Sequence, residues 1–148
     1  MTIKYIESID DVIEIHRKTV EISGGGSDGI IDTASLSAAI DFIQNDDYYP
    51  TFIDKLTYLV YVANKSHCFQ DGNKRIAISL GMKFLLDNGY LFAAQRFIFK
   101  MEIVSLHLAA GRIDRDFLKK LIESIVYEED YSESLKMELL DRITEYVG

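Results

Sequence analysis

The chain is organised around a ten-residue stretch, Ser66-His67-Cys68-Phe69-Gln70-Asp71-Gly72-Asn73-Lys74-Arg75. Apolar segments flank it, residues 51–65 before it and residues 76–86 after it. Apolar side chains occupy nearly every face of both segments, which predicts two helices buried on most sides. A histidine, an aspartate, an asparagine and two cations therefore interrupt a hydrophobic core. Such a concentration of polar side chains indicates a functional site.

Composition restricts the class of protein. The chain has 148 residues, of which 48% are hydrophobic and 27% charged, as in an ordinary globular domain. A net charge of -8 argues against a nucleic-acid or membrane-surface binder, because both need a basic face. The single cysteine excludes an internal disulfide, and the sequence has neither a signal-peptide pattern nor an apolar run of membrane-spanning length. We therefore expect a cytoplasmic protein with no direct contact to nucleic acid or membrane.

Hydrophobic periodicity predicts an all-α domain of about seven helices, in which the two apolar segments form a central helical hairpin. Helix-capping residues precede four of the helices: Ser8, Asp32 or Thr33, Thr51, and Asp114. Three glycines at positions 24–26 end the first helix, and residues 28–31 are predicted to be extended. A helix with Ile98, Ile103, Leu106 and Leu108 at its apolar positions ends at Gly111, and an amphipathic segment from Ser132 to Val147 ends the chain.

The start of the second central helix has the features of an anion site. The first N–H groups of a helix have no internal partner, and the helix dipole adds positive charge there. Acidic residues usually occupy such a first turn, but Lys74 and Arg75 stand there, at a cost of about 0.3–1 kcal/mol each. Gly72 lets a ligand approach the backbone closely. Phosphate is the natural ligand for this combination.

Asp71 and His67 add reactive groups to the phosphate site. A carboxylate beside phosphates can hold Mg²⁺, and a histidine can accept a proton from a hydroxyl. Each residue also has an ordinary interpretation, Asp71 as a helix cap, His67 as a loop histidine, and Lys74 and Arg75 as solvated surface. Their combination at this spacing favours phosphoryl or nucleotidyl transfer instead.

Two residues of the stretch are assigned to packing. Phe69 is predicted to anchor the loop in the core. Cys68 lies beside His67, but neighbours in sequence rarely direct their side chains toward each other, so a buried thiol is favoured over a nucleophile.

The segment from His67 to Arg75 resembles the signature of the Fic/Doc (Fido) superfamily, His-x-Phe-x-(Asp/Glu)-(Gly/Ala)-Asn-x-Arg, with six matching positions within nine. Residues 24–40 are similar to the glycine-rich flap and following helix of that family, and residues 110–114 to a break near its end. The resemblance implies a Fido fold with a short flap. The implied boundaries are 1–148 for a single Fido domain, 1–127 for its Doc-like core and 128–148 for an additional C-terminal helix.

The resemblance also implies roles for individual residues. The motif histidine of the family, here His67, is the general base that activates a hydroxyl of a target protein, and Asp71 would hold Mg²⁺. Phosphates of ATP would be bound by Gly72, Asn73, Lys74 and Arg75. The flap, which would pair with an extended target segment, comprises Ser27, Asp28, Gly29, Ile30 and Ile31. Ile30 and Ile31 fit either such a platform or plugs for the core.

Two positions favour the Doc, or death-on-curing, branch of the family. Adenylyl-transferring members usually read Gly-Asn-Gly-Arg with a second arginine three residues on, whereas this chain has Lys74 and Ile78. Both are similar to Doc, a toxin that phosphorylates elongation factor Tu. The resemblance therefore implies transfer of a phosphoryl group from Mg-ATP to a translation factor such as elongation factor Tu, and neutralisation by a separate antitoxin protein. Two alternatives stay open: a Fic-type adenylyltransferase, which would carry out AMPylation, and a non-catalytic helical binding module.

The C-terminal helix raises the question of self-inhibition. Some Fic proteins carry a C-terminal inhibitory helix with the pattern (Ser/Thr)-x-x-x-Glu-(Gly/Asn), and only its loose Ser-x-x-x-Glu part occurs here, at Ser124 and Ser134. The inhibitory glutamate pairs with the second arginine, which Ile78 replaces. A helix that packs on the core or forms a homodimer is therefore favoured over an inhibitory one.

Overall fold

The structure is a computed structural model that describes residues 2–22, 29–70 and 72–144. Within these ranges the fold is all-α, as predicted, and it contains seven helices. They are α1 (Ile9–Ile22), α2 (Ala34–Phe42), α3 (Phe52–Lys65), α4 (Asn73–Asp87), α5 (Leu91–Ala109), α6 (Arg115–Tyr127) and α7 (Glu133–Thr144). None of these seven helices is long and apolar enough to cross a membrane.

Helix starts follow the local sequence signals. At α3 the Thr51 hydroxyl accepts a hydrogen bond from the Asp54 N–H at 3.0 Å, and the Asp54 carboxylate accepts one from the Thr51 N–H at 3.2 Å. This reciprocal capping box satisfies two N–H groups at once. At α6 the Asp114 carboxylate accepts from the Phe117 N–H at 2.8 Å. Both predicted caps are confirmed.

The start of α2 resolves the choice between two capping residues. Thr33 occupies the N-cap position but makes no side-chain capping bond. The Asp32 carboxylate accepts the hydrogen bond from the Ala34 N–H instead, at 2.9 Å.

The central hairpin of α3 and α4 is the core of the molecule. α5 packs along α4, α6 packs on α5 and α3, and α1 packs on α4, with its last turns beside the start of that helix. Gly81 of α4 allows the close approach of α5, because a Cβ at this position would lie 2.4 Å from Cζ of Phe97.

The buried face of α5 differs from the apolar positions that marked this helix in the sequence. Ile98, Ile103 and Leu106 are largely exposed. The helix packs instead through Ala94, Phe97, Met101, Val104 and Leu108. Apolar side chains occur nearly all round this 19-residue helix, so its periodicity does not identify the face that the core covers.

The last helix is attached to the surface of the domain. α7 spans Glu133–Thr144 within the described part of the chain, and the predicted end of this helix at Val147 falls among residues 145–148, which lie outside that part. None of its residues is fully buried, and Leu135 and Leu139 are half-buried against the core. Arg142 lies over the ring of Phe117 at 4.0 Å, which fixes α7 against α6.

Candidate active site

The end of α3 places His67 on the surface. Ser66 is the C-cap residue, and His67 follows it with a φ of 49°, in the left-handed region. Glycine normally occupies this position after a helix, because a side chain there costs about 1–2 kcal/mol. His67 is exposed. The chain thus accepts a strained backbone at the residue that is predicted to be the general base.

Cys68 and Phe69 anchor the loop, as predicted. Cys68 is fully buried and Phe69 is 1% exposed. The Cys68 thiol lies 3.0 Å from the Ser66 hydroxyl. Its burial fits a packing role rather than that of a nucleophile.

Asn73, the first residue of α4, ties the loop to the helix. Its side-chain N–H donates to the Phe69 carbonyl at 2.8 Å, and its side-chain oxygen accepts from the Phe69 N–H at 3.2 Å. The amide therefore binds both backbone groups of one residue, as a neighbouring strand would. Asn73 holds the loop in place, a role that sequence reasoning did not assign.

Gly72 and the first turn of α4 have the geometry of an anion nest. Gly72 occupies the N-cap position with a φ of 78°, and its carbonyl accepts from the Ile76 N–H at 2.8 Å. No acidic residue lies in the first turn, whereas Lys74 and Arg75 are exposed there. We refer to residues 72–75 as the phosphate cradle. Its left-handed glycine and cationic first turn are the features of a helix start that favours an anion such as phosphate.

Asp71, the predicted Mg²⁺ ligand, lies outside the described residues. The described ranges contain no group of three or more histidine, cysteine, aspartate or glutamate side chains that could hold a metal ion.

The described part of the flap pairs with the loop. Gly29 accepts a hydrogen bond from the Gln70 N–H at 3.0 Å, and the Ile31 N–H donates to the Cys68 carbonyl at 2.8 Å. Ile30 thereby forms an antiparallel bridge with the loop residue Phe69. In this pattern the N–H and C=O of Ile30 point away from the loop.

The two isoleucines in the described part of the flap are exposed. Ile30 is 49% and Ile31 62% exposed, so neither is a plug for the core. Ser27 and Asp28, which the sequence also assigns to the flap, lie outside the described residues.

A pocket of about 330 Å³ opens beside the phosphate cradle, between α1, α4 and α5. Its lining residues are Thr19, Ile22, Arg75, Ile78, Ser79, Ile98 and Glu102. The hydroxyls of Thr19 and Ser79 lie 3.4 Å apart. Ile78, noted in the sequence only as a replaced arginine, is thus part of an apolar wall next to Arg75.

His16 of α1 is the residue near the site that sequence reasoning missed. It lies 1% exposed beneath the loop, and its ring stacks on Phe69 with 3.7 Å between the ring centroids. The available signal was a histidine at a buried helical position, between Val12 and Val20 one turn on either side.

α7 is tied to the start of α6. Arg142 of α7 reaches Asp114 at 3.7 Å. Further along α6, Lys119 pairs with Asp54 at the start of α3 at 2.7 Å, and Asp54 lies ~20 Å from His67 along that helix.

A family model described as the Fic/DOC family matches residues 6–85, more than half of the chain. The matched range includes the loop, the phosphate cradle and the flap. No individual curated protein matches the chain. Proteins of this family are generally transferases that adenylylate or phosphorylate, and they typically use ATP and Mg²⁺.

Proposed function

The chain belongs to the Fic/DOC family of protein-modifying transferases, and on that premise we propose that it transfers the γ-phosphoryl group of Mg-ATP to a hydroxyl side chain of a target protein. The observation that carries this proposal is the start of α4. A left-handed Gly72 and two exposed cations form an anion site there, and the exposed His67 lies on the same loop.

His67 and the phosphate cradle divide the reaction between them. His67 takes the proton from the target hydroxyl, whose oxygen forms a bond to the γ-phosphorus. The bond from the γ-phosphorus to the oxygen that bridges it to the β-phosphate breaks, and ADP leaves. The N–H groups at the start of α4, with Lys74 and Arg75, stabilise the negative charge that shifts onto the leaving oxygen. Mg²⁺, held by Asp71, would neutralise phosphate charge.

The flap supports a role in docking the target. Ile30 presents its backbone N–H and C=O on the side away from the loop, and its side chain is half exposed. An extended target segment that paired with Ile30 would lie as a further strand beside the loop. Its hydroxyl side chain would then be held near His67.

Two side chains favour phosphoryl over adenylyl transfer. Lys74 stands where adenylyl-transferring members usually have a glycine, and it crowds one of the phosphate positions. Ile78 replaces a second arginine, so the terminal phosphate loses a cationic partner on that side. The pocket beside Arg75, with Ile78 in its wall, has room instead for an uncharged part of the nucleotide.

The Doc-like residues Lys74 and Ile78 also support a proposal about the role of the protein in the cell. We propose that the target is a translation factor such as elongation factor Tu, that the chain acts as a toxin, and that a separate antitoxin protein neutralises it. Ile78 stands in place of the second arginine with which an inhibitory glutamate would pair, which supports the absence of self-inhibition by α7.

Transfer can be tested with purified chain, elongation factor Tu and ATP labelled at either the α- or the γ-phosphate. Label from the γ-phosphate, and an added phosphate in the mass spectrum of the target, are expected. Label from the α-phosphate with an added AMP would instead establish adenylyl transfer. His67→Ala should abolish labelling, whereas Tyr48→Ala, at an exposed residue before α3, should not.

Growth on expression provides a second test that does not require knowledge of the target. Expression of the chain is expected to arrest growth, and His67→Ala is expected to relieve the arrest. Arrest that persists in His67→Ala would refute a catalytic toxin and favour a binding module.

A further inference from the structure

A histidine is buried on the face of α1 that covers the start of α4. His16 is 1% exposed, and its ring is nearly parallel to that of Phe69, with an angle of 10° between the ring planes. Val12 and Val20, one turn before and one turn after it, are also buried. Position 16 is therefore a core position, although its side chain is polar.

Packing alone does not require a histidine at position 16. An imidazole has two ring nitrogens that leave water on burial and need partners inside the protein, which an apolar side chain does not need. Leucine would fill the space beside Phe69 without that requirement. The presence of an imidazole thus indicates a role other than filling space.

The edge of the same ring lies against the other end of the loop. A Cβ built on Gly72 would be 3.3 Å from Nε2 of His16 and 3.7 Å from its Cδ2. The shorter distance leaves less room than Cβ atoms normally have, so the absence of a side chain at position 72 lets the backbone lie beside the imidazole. One planar group therefore contacts both Phe69 and Gly72, the two ends of the turn that leads into the phosphate cradle.

We propose that His16 is a positioning residue for the phosphate cradle. The face of its ring fixes Phe69 and its edge fixes Gly72, so the ring sets the distance between them and the direction of the first N–H groups of α4. The ring size matters, because a phenylalanine in the same orientation would bring a larger edge toward Gly72, where even a Cβ would already be crowded by the imidazole. Leucine would leave Phe69 without its flat partner. The identity of the ligand, Mg-ATP, rests on the proposed function, whereas the effect on the loop does not.

The test compares His16→Phe and His16→Leu with the wild type and with Val12→Ala. Val12 is fully buried on the same helix, one turn away from His16, so its truncation serves as a matched loss of packing. Backbone hydrogen exchange of the peptide that covers residues 66–76 reports on the loop in the absence of nucleotide, and titration calorimetry gives the Kd for Mg-ATP. Both His16 variants are expected to accelerate exchange in this peptide at least tenfold and to raise the Kd at least tenfold. Val12→Ala should lower Tm and leave both quantities unchanged.

Several results would overturn the proposal. If the peptide that covers residues 66–76 exchanges at the wild-type rate in both His16 variants, position 16 contributes to packing only. Equal acceleration in Val12→Ala would attribute the effect to lost stability. If circular dichroism shows that neither His16 variant folds, the smaller His16→Asn takes their place under the same criteria. A wild-type chain that does not bind Mg-ATP would refute the proposed function, and the exchange comparison would still decide the role of His16.

Discussion

The two helices of the central hairpin begin in opposite ways. α3 starts with a reciprocal capping box between Thr51 and Asp54. α4 starts at Gly72, which has no side chain with which to cap, and its first turn carries Lys74 and Arg75 against the helix dipole. Both helices bury their sides in the same core, so the difference is confined to their ends. The capping interactions that stabilise a helix start are therefore present at the end of the hairpin away from the site and absent at the start of α4, which forms the site.

The magnitudes of these local effects are similar. A capping residue contributes about 1 kcal/mol. Each cation in a first turn costs about 0.3–1 kcal/mol, and the left-handed His67 costs about 1–2 kcal/mol. The unfavourable contributions thus all lie between the end of α3 and the first turn of α4. Single substitutions at the two helix starts should therefore affect different quantities. Those at the start of α3 should change stability alone, and those beside or at the start of α4 should change activity as well.

The largest effect is expected for His67→Gly. Loss of the general base should lower the rate of transfer by about 10²–10⁴-fold. The free energy of unfolding should rise by about 0.5–1 kcal/mol, because glycine adopts the left-handed conformation without steric cost. Labelling assays and urea denaturation measure the two quantities. His67→Ala is the control, and it should lose transfer without the gain in stability.

Lys74→Glu places an acidic residue in the first turn of α4, where the helix dipole favours one. Mg-ATP is expected to bind about tenfold more weakly, a change of about 1.4 kcal/mol. The free energy of unfolding should increase by about 0.3–1 kcal/mol at low salt and less at high salt. Lys120→Glu, an exposed position within α6, changes the net charge equally and serves as the control. Equal weakening in the control would mean that overall charge, not the cradle, governs ATP binding.

Thr51→Ala removes the cap of α3. It should lower the free energy of unfolding by about 1 kcal/mol and leave the transfer rate of the folded protein unchanged. A thermal melt and a labelling assay on the same preparation measure both. A fall in the transfer rate at temperatures well below Tm would contradict the separation of the two helix starts.

The smallest effect concerns the acid stability of the capped start. Burial raises the pKa of Asp54, but hydrogen bonds from Lys119 and Thr51 outweigh it, so the pKa lies below its ordinary value of 3.8. A carboxyl group with a lowered pKa in the folded state stabilises the protein above that ordinary value, and this contribution is lost as the pH falls through the folded-state pKa. The free energy of unfolding should therefore fall more steeply below about pH 4 in the wild type than in Asp54→Asn. Parallel curves in urea titrations between pH 5 and pH 3 would exclude this contribution.

Local signals in the sequence were sufficient for most helix boundaries and for the loop. The Thr51–Asp54 box and the Asp114 cap depend on residues three positions apart, and Phe69 and Cys68 are apolar side chains between two apolar segments. Such features can be predicted because their partners are neighbours in the sequence.

Contacts between distant segments could not be predicted in the same way. The bridge between Ile30 and Phe69 joins residues 39 positions apart, and nothing in either segment specifies the other as its partner. His16 is separated from Phe69 by still more of the chain. The sequence pattern also did not identify the exposed face of α5, because this helix has more apolar side chains than the core can cover.

The left-handed backbone at His67 has a consequence for how related sequences should diverge. A gene copy that is released from selection for transfer should drift quickly at this codon, since glycine or asparagine there would make the protein more stable. Where a catalytic residue is neutral for folding, its loss is random, whereas the steric cost at position 67 favours loss of this histidine. Related sequences that keep a histidine at the end of α3 are therefore expected to be under continued selection for transfer.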